Sequence, residues 1–267
     1  MILSVASGKG GTGKTLVATS LALSLDITPV QFLDCDVEEP NAHLFIKPEI
    51  IKTEPIYTLV PTVDGKLCSQ SGDCARFCQY NALLVLTQEV MDFLALCHSC
   101  GGCQLVCPQK AMTEERHQIG SLKIGNARNI DFFQGELEVG KPLSVPVIKE
   151  VKKHIKRDVP VIIDSPPGTS CPIVEAVRGS DFCLLVTEPT PFGLYDLKMA
   201  VEVLEKIGLR FGIVINRADI GDRKVREFSE EKNIPILMEI PFSREIAEFY
   251  SRGFSLVEAR PEWKKSS

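Results

Sequence analysis

The sequence predicts an α/β fold with a doubly wound, mainly parallel sheet. Three observations point there: short apolar runs alternate with amphipathic stretches, the runs end in polar residues, and a glycine-rich loop follows the first run. Wholly apolar runs suit parallel strands buried on both faces. Polar residues gathered at their C-terminal ends suit a crevice along one edge of such a sheet.

Taken in order, the first predicted strand is Ile2–Ala6, with a helix from Lys14 to Leu25 beyond the glycine loop. A second strand, Val30–Leu33, ends in Asp34-Cys35-Asp36. Later strands are Val159–Ile163, ending in Asp164, and Phe182–Val186, ending in Thr187-Glu188-Pro189. Phe211–Ile215 then ends in Asn216, and Ile234–Ile240 in Pro241. Leu194–Ile207 carries apolar residues at helical spacing, and Pro142–Arg157 reads as a helix leading back into the sheet. The middle breaks this rhythm. From Val63 to Glu115 the chain is cysteine-rich and loop-like, and Gly120–Gly140 reads as extended segments with glycine breaks. The expected organisation is one α/β domain in two parts, residues 1–62 and 116–267, with a module inserted at 63–115.

Composition narrows the function classes. The chain has 267 residues, 44% hydrophobic and 24% charged, enough for a real core. A net charge of −5 offers no global basis for nucleic-acid binding. No apolar run approaches the roughly 20 residues of a membrane span, and the opening MILSVAS lacks the layout of a signal peptide. A cytoplasmic protein is expected. Of ten cysteines, seven lie between Cys68 and Cys107. In a reducing compartment such clustering reads as metal ligation before disulfides.

Gly8-Lys9-Gly10-Gly11-Thr12-Gly13-Lys14-Thr15 fits the phosphate-binding loop G-x-x-x-x-G-K-S/T, between a predicted strand and a predicted helix. Its glycines let backbone N–H groups turn toward phosphate oxygens, aided by the helix N-terminus. Lys14 is expected at the β- and γ-phosphates of ATP and the Thr15 hydroxyl at Mg2+.

The second chemical signal is Cys97-x2-Cys100-x2-Cys103-x3-Cys107-Pro108, the spacing of bacterial ferredoxins. Zinc is the rival reading of such pairs. An earlier segment repeats the pattern incompletely as Cys68, Ser71, Cys74 and Cys78, with Gln79 in place of proline. In two-cluster ferredoxins the fourth cysteine serves the other cluster. One site then takes Cys97, Cys100, Cys103 and Cys78 and suits a 4Fe-4S cluster. The other takes Cys68, Cys74 and Cys107 with Ser71 at the missing position. Three outcomes stay open there: 3Fe-4S, 4Fe-4S with an oxygen ligand, or an empty site.

With Lys9 the loop reads KGGTGKT, which resembles the deviant Walker A of the MinD/ParA/nitrogenase-iron-protein group of P-loop ATPases. The chain as a whole resembles MinD-superfamily ATPases containing an inserted ferredoxin domain. That resemblance implies an ATP-dependent homodimer in which Lys9 reaches the partner's nucleotide. In DCDVEEPN it implies that Asp36 positions the attacking water, with Asp34 supporting it. In DSPPGTS it implies Mg2+ held through water by Asp164 and a γ-phosphate sensed by Gly168, and it makes Asn216-Arg217 the adenine-reading strand end. Glu188 reads equally as a lining residue or a cap. The function implied is a slow ATPase whose nucleotide state governs electron transfer or cluster delivery to a redox or cluster-accepting partner. The alternative is a partition-like positioning ATPase with structural or redox-sensing clusters. Cys171, just after DSPPGTS, reads mainly as a packing residue, with a cluster shared across a dimer as the lesser reading. Cys35 and Cys183 read as buried hydrophobes and His98 as incidental, and the tail at Trp263-Lys264-Lys265 is too short for a membrane helix.

Overall fold

The apolar runs of the sequence form the middle of a sheet that is buried on both sides. The computed structural model describes residues 1–25 and 28–260, and among these the sheet has nine strands. They begin with β1 (Ile2–Ala6), β2 (Val30–Asp34) and β3 (Glu49–Val63); next come β4 (Leu83–Val85) and β5 (Val90–Asp92), which form a hairpin of their own. The sheet continues with β6 (Met112–Ala127), β7 (Ile130–Leu137), β8 (Val161–Asp164), β9 (Phe182–Thr187), β10 (Phe211–Asn216) and β11 (Ile236–Ile240). Their spatial order is β11-β10-β9-β1-β8-β2-β7-β6-β3. Every neighbouring pair from β11 to β7 is parallel, whereas β6 and β3 add antiparallel strands at one edge.

The helices are α1 (Lys14–Ser24), α2 (His43–Ile46), α3 (Asp73–Phe77), α4 (Gly102–Leu105), α5 (Val145–Lys152), α6 (Cys171–Val177), α7 (Pro191–Ile207), α8 (Lys224–Lys232), α9 (Arg244–Ser251) and α10 (Leu256–Ala259). Strand residues alternate between two packed faces, as a period of two requires. Phe32, Phe132 and Ile162 pack with α1, α9 and α10, while Leu33, Phe133 and Ile163 pack with α5 and α6. Burying one such side chain stabilises the fold by about 1.5–3 kcal/mol. Among the described residues no helix is long and apolar enough to cross a membrane.

Two differences from the sequence reading have physical causes. Glu49–Val63 is one long strand although it contains Lys52, Glu54, Pro55 and Pro61. As the edge strand it pairs only with β6, so prolines and charges are tolerated there. The helix expected from Pro142 to Arg157 is confined to Val145–Lys152. Of the glycine breaks in 120–140, Gly120 and Gly125 lie inside a strand where backbones approach closely: a Cβ on Gly125 would sit 2.4 Å from the Glu49 carbonyl oxygen. At the far end of the β3–β6 pair, Val63 faces Met112. The cysteine module fills the chain between them.

Candidate nucleotide site and cysteine module

The glycine loop joins β1 to α1, with Gly13 at φ 96° capping the helix. Lys14 and Thr15 open α1 and are both buried. Thr15 Oγ1 donates to Asp164 Oδ2 at 2.6 Å, and Lys14 Nζ lies 3.7 Å from Asp36 Oδ2. A cavity of about 290 Å³ opens beside them, lined by Gly10, Gly11, Gly13, Lys14, Thr15 and Asp36 on one side. Asn216, Arg217, Pro241, Phe242, Ile246 and Tyr250 line the other. These side chains issue from the C-terminal ends of β1, β2, β10 and β11 and from α9, where a parallel sheet leaves its crevice.

Two carboxylates, Asp36 and Asp164, act on Lys14, and a third, Asp34, lies beside them. Asp34 is fully buried and accepts N–H groups of Asp36 at 3.3 Å and Ala42 at 3.1 Å, so it shapes the loop that carries Asp36. Burial, and then the charge of Asp164, raises its carboxyl well above the ordinary range. Burial likewise lifts Asp36 to about 6 against the pull of Lys14. Asp164 also rises to about 6 through burial, against Lys14 and the Thr15 hydroxyl. Asp164 Oδ1 is buried without a hydrogen-bond partner. An excess of hard oxygen donors around an orphaned carboxylate oxygen fits a hydrated Mg2+.

The remaining expected residues sit as follows. Asn216 lines the cavity, but its Nδ2 donates to the Thr12 carbonyl at 2.9 Å and its Oδ1 accepts from Arg217 N. Its amide thereby braces the phosphate loop. Arg217 Nη1 lies 3.0 Å from Glu188 and Lys9 Nζ 3.7 Å from the same carboxylate, which makes Glu188 an anchor for both cations. Gly168, at φ 100°, donates its N–H to the Ser7 carbonyl, and Pro167 faces the cavity in its place. Gly8 is a packing position, where a Cβ would sit 2.2 Å from the Asp196 carbonyl oxygen of α7. Pro241, Phe242, Ser243, Ile246 and Tyr250 were missed as lining residues. The signal for them was the Ile234–Ile240 run stopping at Pro241, another strand end on the crevice side.

In the cysteine module, Cys78, Cys97, Cys100 and Cys103 line one small cavity, and Cys68, Ser71, Cys74 and Cys107 line another. Each set draws on both halves of the repeat. The repeat extends to the backbone: Gln70 and Ser99, Gly72 and Gly101, and Asn81 and Lys110 are pairs at one offset, all with positive φ. Cys78 Sγ accepts the Ala82 N–H at 3.4 Å, as Cys107 Sγ accepts that of Ala111 at 3.2 Å. Among the described residues no three His, Cys, Asp or Glu side chains converge as ligands of a single metal ion. Four separate cysteines are the number a four-iron cluster takes; the first set offers four, the second three and a serine. Cys171 is exposed at the start of α6, while Cys35 and Cys183 are fully buried. His98 stacks on Tyr80 with ring centroids 3.6 Å apart. Trp263, Lys264 and Lys265 lie outside the described residues.

Comparison with known proteins agrees with this geometry. The profile of the CobQ/CobB/MinD/ParA nucleotide binding domain family matches residues 3–256. An uncharacterised protein of Methanocaldococcus jannaschii is 30% identical over 263 residues, covering 97% of this chain and 92% of its own. An iron-sulfur cluster carrier protein of Aquifex aeolicus is 24% identical over 98% of this chain and 63% of its own. Among solved structures, the septum site-determining protein MinD of Pyrococcus horikoshii, complexed with Mg-ADP, superposes with a TM-score of 0.59. That match covers 99% of this chain and 90% of the other, at 21% identity, and speaks to the fold alone.

Proposed function

Because the chain belongs to the CobQ/CobB/MinD/ParA nucleotide-binding family, we propose that it is an ATP-hydrolysing, dimerising switch coupled to iron–sulfur clusters in its cysteine module. Lys14 and the amides of Gly10–Thr15 hold the phosphates, and Asp36 orients the attacking water. Thr15 and, through water, Asp164 would hold Mg2+, which would supply charge neutralisation for phosphoryl transfer. Lys9, released from Glu188, serves the partner's nucleotide. Glu188 is buried but keeps Arg217 at 3.0 Å, so giving up the longer 3.7 Å contact to a one-third-exposed lysine costs about 1 kcal/mol.

The observation that carries the reading is a single chain with both a phosphate loop and two thiol-lined cavities, each drawing on both halves of a repeat. A cluster there supplies one-electron chemistry or transferable iron and sulfide. Resemblance to an iron-sulfur cluster carrier protein lends support to the second role. Anaerobic purification with iron, sulfide and EPR measurements, with and without MgATP, tests the proposal. About eight irons per chain mark two 4Fe-4S clusters, and about seven a mixed pair. Zinc without sulfide would remove the redox role. Clusters whose potential and transfer rate ignore an ATP analogue would favour the positioning ATPase with structural clusters.

A further inference from the structure

A second cavity, about 180 Å³, lies between the nucleotide domain and the cysteine module. Cys97, Ser99 and Leu94 line it from the module, His117 and Ile119 from β6, and Lys141 from the segment joining β7 to α5. Lys141 Nζ meets His117 Nε2 at 2.6 Å across it. The same connecting segment is tied to the nucleotide site. Leu137 N–H donates to the carbonyl of Val37, the residue after Asp36, at 2.8 Å. The next amide, Glu138 N–H, donates to Ile119 of β6 at 2.8 Å. Hydrogen bonds thus lead from the residue after Asp36 to β6, and the shared cavity lies between Lys141, His117 and the first cysteine of the complete set.

The helix that follows this segment touches both switch regions. A Cβ on Gly135 would meet Val37, Val147 and Val151 within 3.0 Å, so Val37 packs against α5 through a gap only glycine leaves open. On its other side, Lys152 of α5 donates to the carbonyls of Glu175, Ala176 and Arg178 at the C-terminal end of α6. That helix begins just after the Asp164–Ser170 loop. Val37, Val147, Val151, Ile119 and Ala176 share one buried cluster. Dense packing moves as a body, so a shift of the Asp36 or Asp164 loops reaches the connecting segment.

We propose that the segment from Glu138 to Ser144 is the coupling element, with the Lys141–His117 contact fastening it to β6 across the cavity that the Cys97 loop also lines. The inference rests on the switch function proposed above and names how its two sites communicate. ATP binding repositions Asp36 and Val37, the segment follows, and the Leu94–Cys107 stretch changes its exposure. Coupling of this kind is a difference in contacts between two states, felt equally at both ends.

Hydrogen–deuterium exchange on the anaerobic full-length protein, with and without a nonhydrolysable ATP analogue and Mg2+, tests this. In the wild type, exchange across Leu94–Cys107 should change by about fivefold or more, the low end of ordinary coupling between sites. Lys141→Met and His117→Gln should each abolish that change while the analogue still binds. Lys141→Arg, which keeps a donor toward His117, should restore it. A wild-type module indifferent to the analogue, or a Lys141→Met module that still responds, overturns the proposal. Failure of the cluster reading shows separately, as absent sulfide in the same samples.

Discussion

The nucleotide end of the sheet and the cysteine module are built on opposite terms. At the nucleotide end, Lys14, Thr15, Asp34 and Asp164 are buried, and hydrogen bonds from neighbouring strand ends hold them. In the module, only Ala82, Leu83, Gly102 and Ala111 are buried between residues 64 and 111. Phe77, Tyr80, Phe93 and Leu105 stay substantially exposed. So little core is what a module stabilised by the clusters proposed above would show. One site is shaped by the fold around it; the other has little fold around it to shape it.

The largest test separates the two sites. Lys14→Ala should lower ATP hydrolysis by about 100-fold or more, since it removes a main charge from the transferring phosphates. Iron and sulfide content should not move. Loss of clusters in that variant would break the contrast.

Iron removal is the converse test. Chelation under reducing conditions should raise proteolytic cleavage between residues 64 and 111 by about 100-fold, because metal binding free energy is folding free energy in such modules. The rest of the chain should resist as before, and nucleotide affinity should persist. Equal loosening of both regions would show that the module is a true part of the main core.

A smaller effect concerns pH at the buried carboxylates. Asp36 titrates at about 6 in the folded chain, above the ordinary value of about 4. Between these values the folded chain binds more protons than the unfolded one, so stability falls as pH rises through that window. Asp36→Asn should therefore stabilise the nucleotide-free chain by about 2 kcal/mol above pH 6, a gain that fades toward pH 4. Denaturant titrations at several pH values read it directly. Mg2+ with nucleotide should shrink the difference, since the cation satisfies the carboxylates.

The smallest effect is expected at Lys9. Lys9→Ala should change the melting free energy of the nucleotide-free chain by less than about 1 kcal/mol, as the contact with Glu188 is long and partly exposed. Sedimentation with ATP should nevertheless show dimerisation lost. A large loss of monomer stability would mean that Lys9 serves its own chain.

Much of this was legible in the order of residues. Short-range patterns carry their own physics: an apolar run needs a two-sided burial, Gly8–Thr15 needs a turn before a helix, and Cys97–Cys107 needs ligands at fixed spacing. Those patterns marked β1, β2, β8, β9 and β10 and the residues at their tips, and the repeat paired the two cysteine sets that line separate cavities. Three things were decided only by the tertiary structure. Glu49–Val63 became a strand because an edge position forgives prolines and charge, which no local pattern announces. Tyr250 entered the crevice because α9 folds back over it. Val37 met Leu137, and Lys141 met His117, because the sheet brings distant segments into register. Contacts between residues far apart in the chain depend on how strands are ordered in space, and strand order is settled by packing of the whole.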